Sequence, residues 1–494
     1  MNNRFLDREK DWKNGPVVYQ VIVDRFAPSE KLEEKRSLYQ APLSLKNWKE
    51  QPRRQGYNKE VGAWQHELDF WGGDLASLLT KLDYLKSLSV DVIYLNPIFK
   101  SLTNHKYDTH DYFTVDPVYG DNEEFRQLVE KVHDCGMKLM LDGVFNHVGR
   151  KLYAEIKEKQ AESSTHLFRF IENEPVCWNN AHNLPELNLD NTAAQKLIYN
   201  GENSVVQYWI KRFDVDGWRL DVASELGFRH LRKINRSAKS VKPEAAVIGE
   251  IWNYPQDWFP CVDGVTNMHA RSILLRMLSG NIEAREAMNF YDQMVSDCGI
   301  EHMLKSWLVL DNHDTPRLAS VLKTSKKQAL ARILQFTLPG AVCLYYGSEF
   351  AMTGKNDPEQ RGPMPWDKLK KPPAIFHLHE KLGKLRRSER ALRIGDFTRI
   401  ASLRSFSFMR TTDKVGETVI VAANPSARKI FDVLQLRDGR IHDTTVFTDR
   451  LTGKRFMALS GFLDLQIPAC SALILTPEIG DLTSSYTKYK YLDE

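Results

Sequence analysis

Residues 215–225 read VDGWRLDVASE, and the fold turns on how that stretch is read. An apolar run closing on Arg219, Leu220 and Asp221 suits a parallel strand buried on both faces. Side chains alternate along a strand, so Arg219 and Asp221 project to the same side. An arginine beside an aspartate is expected to lower the carboxylate's pKa and fix its orientation. That pair suits a nucleophile kept ionised, and it equally suits a plain structural ion pair. From this stretch alone the structural pair is the better reading.

Working outward, the chain alternates strand and helix. Upstream lie a β-branched run at 17–24, a helix over 74–88 capped by Asp74, and a strand at 90–97. A helix opened by Asp121, with Glu124 in the capping-box position, and a strand at 138–142 follow. A helix near 194–212 precedes the opening stretch. Downstream the pattern predicts helices near 226–238, 280–297, 325–336 and 374–391, with strands at 245–250, 264–268, 306–312 and 342–347. Two segments break the rhythm: a polar, basic excursion over 27–68 and an irregular insertion over 148–192.

Repeated strand–helix units, about eight of them, predict an α/β fold: a closed (β/α)8 TIM barrel. A doubly wound open sheet is the alternative, and no glycine-rich phosphate loop follows the first strand to support it. From about Gly395 short alternating strands appear, RSFSFMRTT, TVIVAANPS, FLDLQIP and SALILTP, which predict a C-terminal antiparallel β domain. The expected divisions are barrel over 1–147 and 193–392, inserted domain over 148–192, β domain over 393–480 and a tail over 481–494.

Barrels of this kind gather functional groups at the C-terminal ends of their strands. There the sequence offers Asp142 followed by Asn146 and His147, then Arg219 with Asp221, then Glu250, then His313 with Asp314. The second strand leads into TNHKYDTHDY, which supplies His105, Tyr107, Asp108 and Asp111. One acid at a strand end commonly caps the next helix; three acids and two histidines converging on one mouth suggest a reaction. Breaking a glycosidic bond takes one ionised and one protonated carboxyl, and a separation of about 5–5.5 Å implies a covalent intermediate. Asp221 beside Arg219 fits the nucleophile. Glu250, after AAVIG, fits an acid raised by apolar surroundings and a nearby carboxylate. Asp314, with His147 and His313, fits a grip on sugar hydroxyls that tightens as the oxocarbenium forms. A di-metal hydrolase has less support, because no HxxxH spacing is present.

DGVFNH, GWRLDVASE, GEIWN and LDNHDTPRL resemble, in order, the four strand-end motifs of the α-amylase family, glycoside hydrolase family 13. The resemblance implies Asp221 as nucleophile, Glu250 as general acid/base and Asp314 as transition-state stabiliser. It implies His105, Tyr107, Asp142, His147, Arg219 and His313 as substrate-binding companions, with Tyr107 stacking on the sugar beside the cleaved bond. The insertion corresponds to the family's B domain, and its LPELNLD resembles a further motif. FWGGDLASLLTKLDYL, TNHKYD, VASE and YYGSEFAMTGKNDPEQRGPMPW are similar to the cyclomaltodextrinase, neopullulanase and maltogenic amylase group. Within the last segment Asp357 and Arg361 match residues on the nonreducing side of the cleaved sugar, with a loop ion pair as the alternative. Two departures are expected to matter. The group's N-terminal β domain is not expected ahead of the first strand, and Ser224 stands where asparagine is usual.

The bulk numbers fit this reading. The 494 residues carry 68 basic and 64 acidic side chains, a net charge of 68 − 64 = +4 without blocks, so neither nucleic acid nor an anionic membrane is an expected partner. The eleven Trp and 18 Tyr suit stacking on flat ligand faces and equally suit larger cores. Six scattered cysteines without CxxC read as reduced core residues. No secretory signal or bilayer-length apolar run is visible, which predicts a cytoplasmic protein. The expected partner is an oligosaccharide, with a homodimer left open. No cofactor is required and no metal ligands are assigned; calcium is not indicated, since no acidic cluster stands out between residues 27 and 60. The expected reaction is retaining hydrolysis of α-1,4, and in some substrates α-1,6, glucosidic bonds of maltooligosaccharides, cyclodextrins or pullulan. A transglycosylase using the same intermediate is the alternative. A non-catalytic sugar-binding relative fits less well, since all three carboxylates are present.

Overall fold

The computed structural model describes residues 4–159, 167–172, 174–480 and 487–490. Eight parallel strands close into a barrel: β1 (Val17–Val21), β2 (Val92–Leu95), β3 (Lys138–Gly143), β4 (Gly217–Leu220), β5 (Ala246–Ile251), β6 (Gly264–Asn267), β7 (Trp307–Val309) and β8 (Ala341–Tyr345). Each strand pairs with the next, and β8 returns to β1 with Val342 opposite Val17.

The two-residue period decides what fills the barrel. Val18, Tyr94, Met140, Ile248, Val309 and Cys343 belong to one buried cluster inside it. The alternate residues, such as Tyr19, Ile93, Leu141 and Leu220, pack outward in the larger core shared with the helices. One step further along the inward rows come Gln20 after Val18, Asn96 after Tyr94, Asp142 after Met140 and Glu250 after Ile248. The rows that pack the interior thus end in polar groups at the mouth. Close strand approach also matters: a Cβ on Gly217 would fall 2.2 Å from the Ala246 carbonyl oxygen of β5.

Several expected elements are subdivided. The helix expected over 74–88 is two, Leu75–Leu79 and Leu82–Ser87. Asp74 caps the first, accepting from the Ser77 N–H at 2.8 Å, and the Thr80 hydroxyl bonds the Ser77 carbonyl at its end. The helix expected over 194–212 is interrupted between Ile198 and Val205, where Gly201 has φ +124°. The region expected as one helix near 280–297 holds Ala284–Cys298, preceded by a separate helix Met268–Ser279. The Asp121–Glu124 capping box forms as expected.

The insertion leaves β3 beside the mouth. Glu186 of LPELNLD bridges to His147, and the Leu187 N–H bonds the Asn146 carbonyl at 2.9 Å. Residues 160–166 and 173 of the insertion, and 481–486 and 491–494 of the tail, lie outside the described residues. The C-terminal strands are β9 (Asp396–Arg399), β10 (Phe406–Thr411), β11 (Val419–Asn424), β12 (Ile430–Gln435), β13 (Val446–Asp449), β14 (Arg455–Met457), β15 (Phe462–Ile467) and β16 (Ser471–Pro477). They form a sheet ordered β9-β10-β11-β16-β13-β14 and a separate β12–β15 pair, all antiparallel. All six cysteines are free. Among the described residues no helix is long and apolar enough to cross a membrane, and no group of three or more His, Cys, Asp or Glu could hold a metal ion.

Candidate active site

Arg219 stands at the centre of the mouth's floor. Its Nη1 donates to Asp142 Oδ1 at 2.8 Å and to Asp221 Oδ1 at 2.9 Å, and its Nη2 lies 3.0 Å from Glu250 Oε2. All four groups are buried. Arg219 and Asp221 meet because they are two apart at the end of β4; Glu250 joins them from the end of β5. Glu250 also accepts the backbone N–H of Val222 and the Trp252 indole N–H, each at 2.9 Å. Val222 is left-handed, with φ 39° and ψ 44°. That conformation costs a β-branched residue about 1–3 kcal/mol, and here it turns the N–H that follows Asp221 onto Glu250.

A cavity of about 720 Å³ lies above, lined among others by Asp221, Glu250, Asp314, His105, Tyr107, His147, His313, Asp357 and Arg361. Nine of the residues singled out in the sequence thus share one space. Asp142 and Arg219 do not line it. Asp142 Oδ2 is taken by the hydroxyls of Tyr107, at 2.9 Å, and of Tyr94, while Oδ1 is taken by Arg219. These two were expected to bind substrate; the structure makes them supports for the residues that line the cavity.

His313 is fixed from both sides. Gln20 Nε2 donates to its Nδ1 at 2.8 Å, so the proton sits on Nε2. That nitrogen lies 2.5 Å from the Tyr107 hydroxyl and 3.1 Å from Asp314 Oδ2. The Tyr107 and His313 rings stack with centroids 5.4 Å apart. Asn96 donates to the Tyr107 hydroxyl at 3.0 Å and accepts from Gln20 at 2.9 Å. On the other wall His147 stacks on Trp178 at 5.3 Å. Neither ring nitrogen of His147 has a hydrogen-bond partner among the described residues, although the side chain is buried. Such a group is costly unless a ligand completes it.

The electrostatics correct one expectation. Arg219 was expected to hold the Asp221 carboxyl low. Burial instead pushes Asp221 well up; Arg219 opposes this, and Glu250 and Asp142 add to it. One guanidinium is shared among three carboxylates, so no single one receives its full effect. Burial also raises Asp142 and Asp314. It lowers His147 to about 3 and, together with Arg219 and Arg361, takes His313 well below the usual range. Both imidazoles are neutral at pH 7 and offer hydrogen bonds rather than charge. Asp357 behaves oppositely. Burial raises it, but Arg361 at 3.1 Å and His66 at 3.3 Å bring it well below the ordinary carboxylate range.

Several participants were not singled out in the sequence. Gln20, Tyr94 and Asn96 could have been found by continuing the inward period of β1 and β2. Trp252 lies inside GEIWN but carried no separate signal. Trp178, Tyr57 and Trp64 come from the insertion and the excursion, which have no period to extrapolate.

The family described as alpha amylase, catalytic domain, matches residues 20–383. A cyclomaltodextrinase of Thermoanaerobacter pseudethanolicus is 32% identical over 439 residues, covering 85% of this chain and 71% of that protein. An intracellular maltogenic amylase of Bacillus subtilis is 34% identical over 407 residues, covering 77% and 63%. The crystal structure of a Nostoc punctiforme debranching enzyme superposes with a TM-score of 0.75 at 26% identity, covering 94% of this chain and 99% of that one.

Proposed function

The chain belongs to the α-amylase family and is an α-glucan-acting glycoside hydrolase, and from that premise we propose that it works with retention through a covalent glycosyl-enzyme intermediate. The bonds cleaved are α-1,4-glucosidic, with α-1,6 bonds as a secondary target, in maltooligosaccharides and related glucans. Asp221 is the nucleophile, Glu250 the acid and then base, and Asp314 the stabiliser. The observation that carries this reading is the shared guanidinium: Arg219 binds Asp221 and Glu250 through its two terminal nitrogens, at 2.9 and 3.0 Å. Carboxyls so linked are close together on one floor, as a double-displacement mechanism needs.

In the first step an Asp221 oxygen attacks the anomeric carbon. The bond to the leaving sugar breaks, and Glu250 gives its proton to the departing oxygen. In the second step water attacks the same carbon, Glu250 takes the water's proton and the Asp221 ester opens. Burial raises Asp221 and Asp142, with neighbouring carboxylates adding to the first, and the reaction requires Asp221 ionised with the transferable proton on Glu250. As the ring flattens and gains positive charge, the carboxylate of Asp314 and the neutral imidazoles of His147 and His313 hold its hydroxyls. Asp142, Tyr94, Gln20 and Asn96 keep those groups aimed. A cytoplasmic setting is supported by the intracellular description of the B. subtilis relative and by six free cysteines.

Asp221→Asn tests the assignment. Hydrolysis of maltotriose should fall by about 10⁴-fold with folding intact. The native enzyme treated with a 2-deoxy-2-fluoro glucosyl donor should gain one sugar mass on the peptide holding Asp221. Near-native turnover by the variant, or a label on another carboxylate, removes the assignment.

A further inference from the structure

The excursion over 27–68 has a shape that its composition does not disclose. Tyr57–Asn58 pairs antiparallel with Ala63–Trp64 in a small hairpin. Both its aromatic rings line the active-site cavity, packed edge to face with centroids 5.4 Å apart. Trp64 stacks in turn on His66 at 6.0 Å, and His66 Nε2 lies 3.3 Å from Asp357 Oδ2. Asp357 pairs with Arg361 at 3.1 Å, and Arg361 lies 3.5 Å from Asp314. An unbroken chain of contacts thus runs from Asp314 to the hairpin. The hairpin's tip meets the insertion: a Cβ built on Gly62 falls 3.9 Å from the Asn183 Cβ.

The roles assigned above fix which end of the cavity this is. Glu250 protonates the leaving oxygen, so the leaving sugar lies on the side of Glu250 and Trp252. Trp252 is bonded to Glu250 and, at 52%, is more exposed than Tyr57 at 42% or Trp64 at 37%, so the Trp252 side is the more open of the two. The Asp314–Asp357 side is therefore the nonreducing side, and it runs into the hairpin.

We propose that the Tyr57–Trp64 hairpin, closed against the Trp178–Leu184 loop, ends the nonreducing side of the cleft, and that Trp64 is the residue setting product length by stacking on the terminal sugar. The enzyme then acts from nonreducing ends and releases glucose or maltose, while the rest of the glucan leaves over Trp252. The cavity's size agrees. At about 720 Å³ it must also serve the leaving side, and cavities of roughly 300–1,000 Å³ hold one drug-sized ligand, about two or three sugar rings. The proposal rests on the hydrolase reading and on Glu250 as its acid. It assigns to a segment of this chain a boundary that neither the carboxylates nor the barrel supplies.

The test is the first-product pattern of maltoheptaose labelled at its reducing end, sampled at low conversion. The native enzyme should give labelled chains shortened by one or two glucosyl units. Trp64→Ala should raise the share of more deeply shortened labelled chains by about fivefold, the loss of one aromatic stacking contact. Trp64→Phe should restore the native pattern, and a thermal melt of each variant shows whether it is folded. Labelled products of every length from the native enzyme, or a pattern unchanged in folded Trp64→Ala, overturns the wall while leaving the hydrolase assignment standing. Failure of the native enzyme to hydrolyse any α-glucan overturns the assignment beneath it.

Discussion

The two ends of the barrel both bury charge, and they do so in opposite ways. At the C-terminal mouth Asp142, Asp221 and Glu250 share Arg219. At the other end Arg386 and Arg410 are buried among carbonyls. Arg386 donates to Gly15, Phe336 and Gly340; Arg410 donates to Thr337, Leu392, Gly395 and Asp396. Phe336 and Thr337 end the helix Ser325–Thr337, and Leu392 lies near the end of Arg390–Ile394. Those last carbonyls lack helical partners and sit at the negative end of the helix dipole, so a guanidinium there is well placed. Burial still pulls both arginines down to about 9, which leaves them charged at neutral pH. At the lower end each guanidinium nitrogen of Arg386 and Arg410 has a carbonyl partner. The mouth has too many carboxylates for its cations, an unpartnered His147 and a strained Val222, which are costs that only a ligand or a reaction can use.

The largest effect that sharpens this contrast is Glu250→Gln. Loss of the acid should lower kcat on maltotriose by about 10³-fold. Stability should hold or rise, because one of the crowded carboxylates is gone. The same change should lower the pKa of Asp221, since Glu250 is one of the charges that raise it. With α-maltosyl fluoride, whose leaving group needs no protonation, the acid limb of kcat/KM should move to lower pH. The sign follows from ionisation: a carboxyl raised in the native protein is protonated over a wider acid range, and relief of repulsion narrows that range. A limb that stays put, or moves up, means the two carboxyls are not coupled as the geometry suggests.

The lower end should respond in reverse. Arg410→Met removes the donor from four carbonyls in a buried site. Urea unfolding should show a loss of about 3 kcal/mol. Turnover by the remaining folded enzyme should stay within about twofold, because nothing at that end touches the cavity. A large fall in kcat at native-like stability breaks the division of labour between the two ends.

The same contrast explains what could be read in advance. The barrel was legible because period two and period 3.6 alternate along most of the chain, and the acids were legible because strand ends are where such periods stop. The Arg219–Asp221 contact follows from their spacing along the strand, but sequence order does not reveal that Arg219, Tyr94 and Tyr107 also occupy Asp142. The direction of the Asp221 shift was missed for a related reason. One arginine is adjacent in sequence, whereas the burial and the two opposing carboxylates are tertiary facts. The leucines over 74–88 keep helical register across Thr80, which predicts one helix, whereas local hydrogen bonding at Thr80 divides it in two. The hairpin at Tyr57–Trp64 had no signal at all, since its aromatics gain meaning only from the loop they meet.

Val222 gives the smallest effect and isolates strain from chemistry. Asparagine tolerates the left-handed conformation far better than valine, because it is not β-branched and can bond its own backbone. Val222→Asn keeps the N–H that Glu250 accepts, as this bond uses only the backbone. The variant should therefore gain about 1 kcal/mol in unfolding free energy. The substitution leaves the charges of Asp142, Asp221, Glu250 and Arg219 untouched, so the pH profile should not move. If stability falls instead, the valine side chain is doing packing work at the cavity wall that outweighs its backbone strain. If the pH profile shifts, the conformation at Val222 sets the position of Glu250, and strain and electrostatics at the mouth are a single device rather than two.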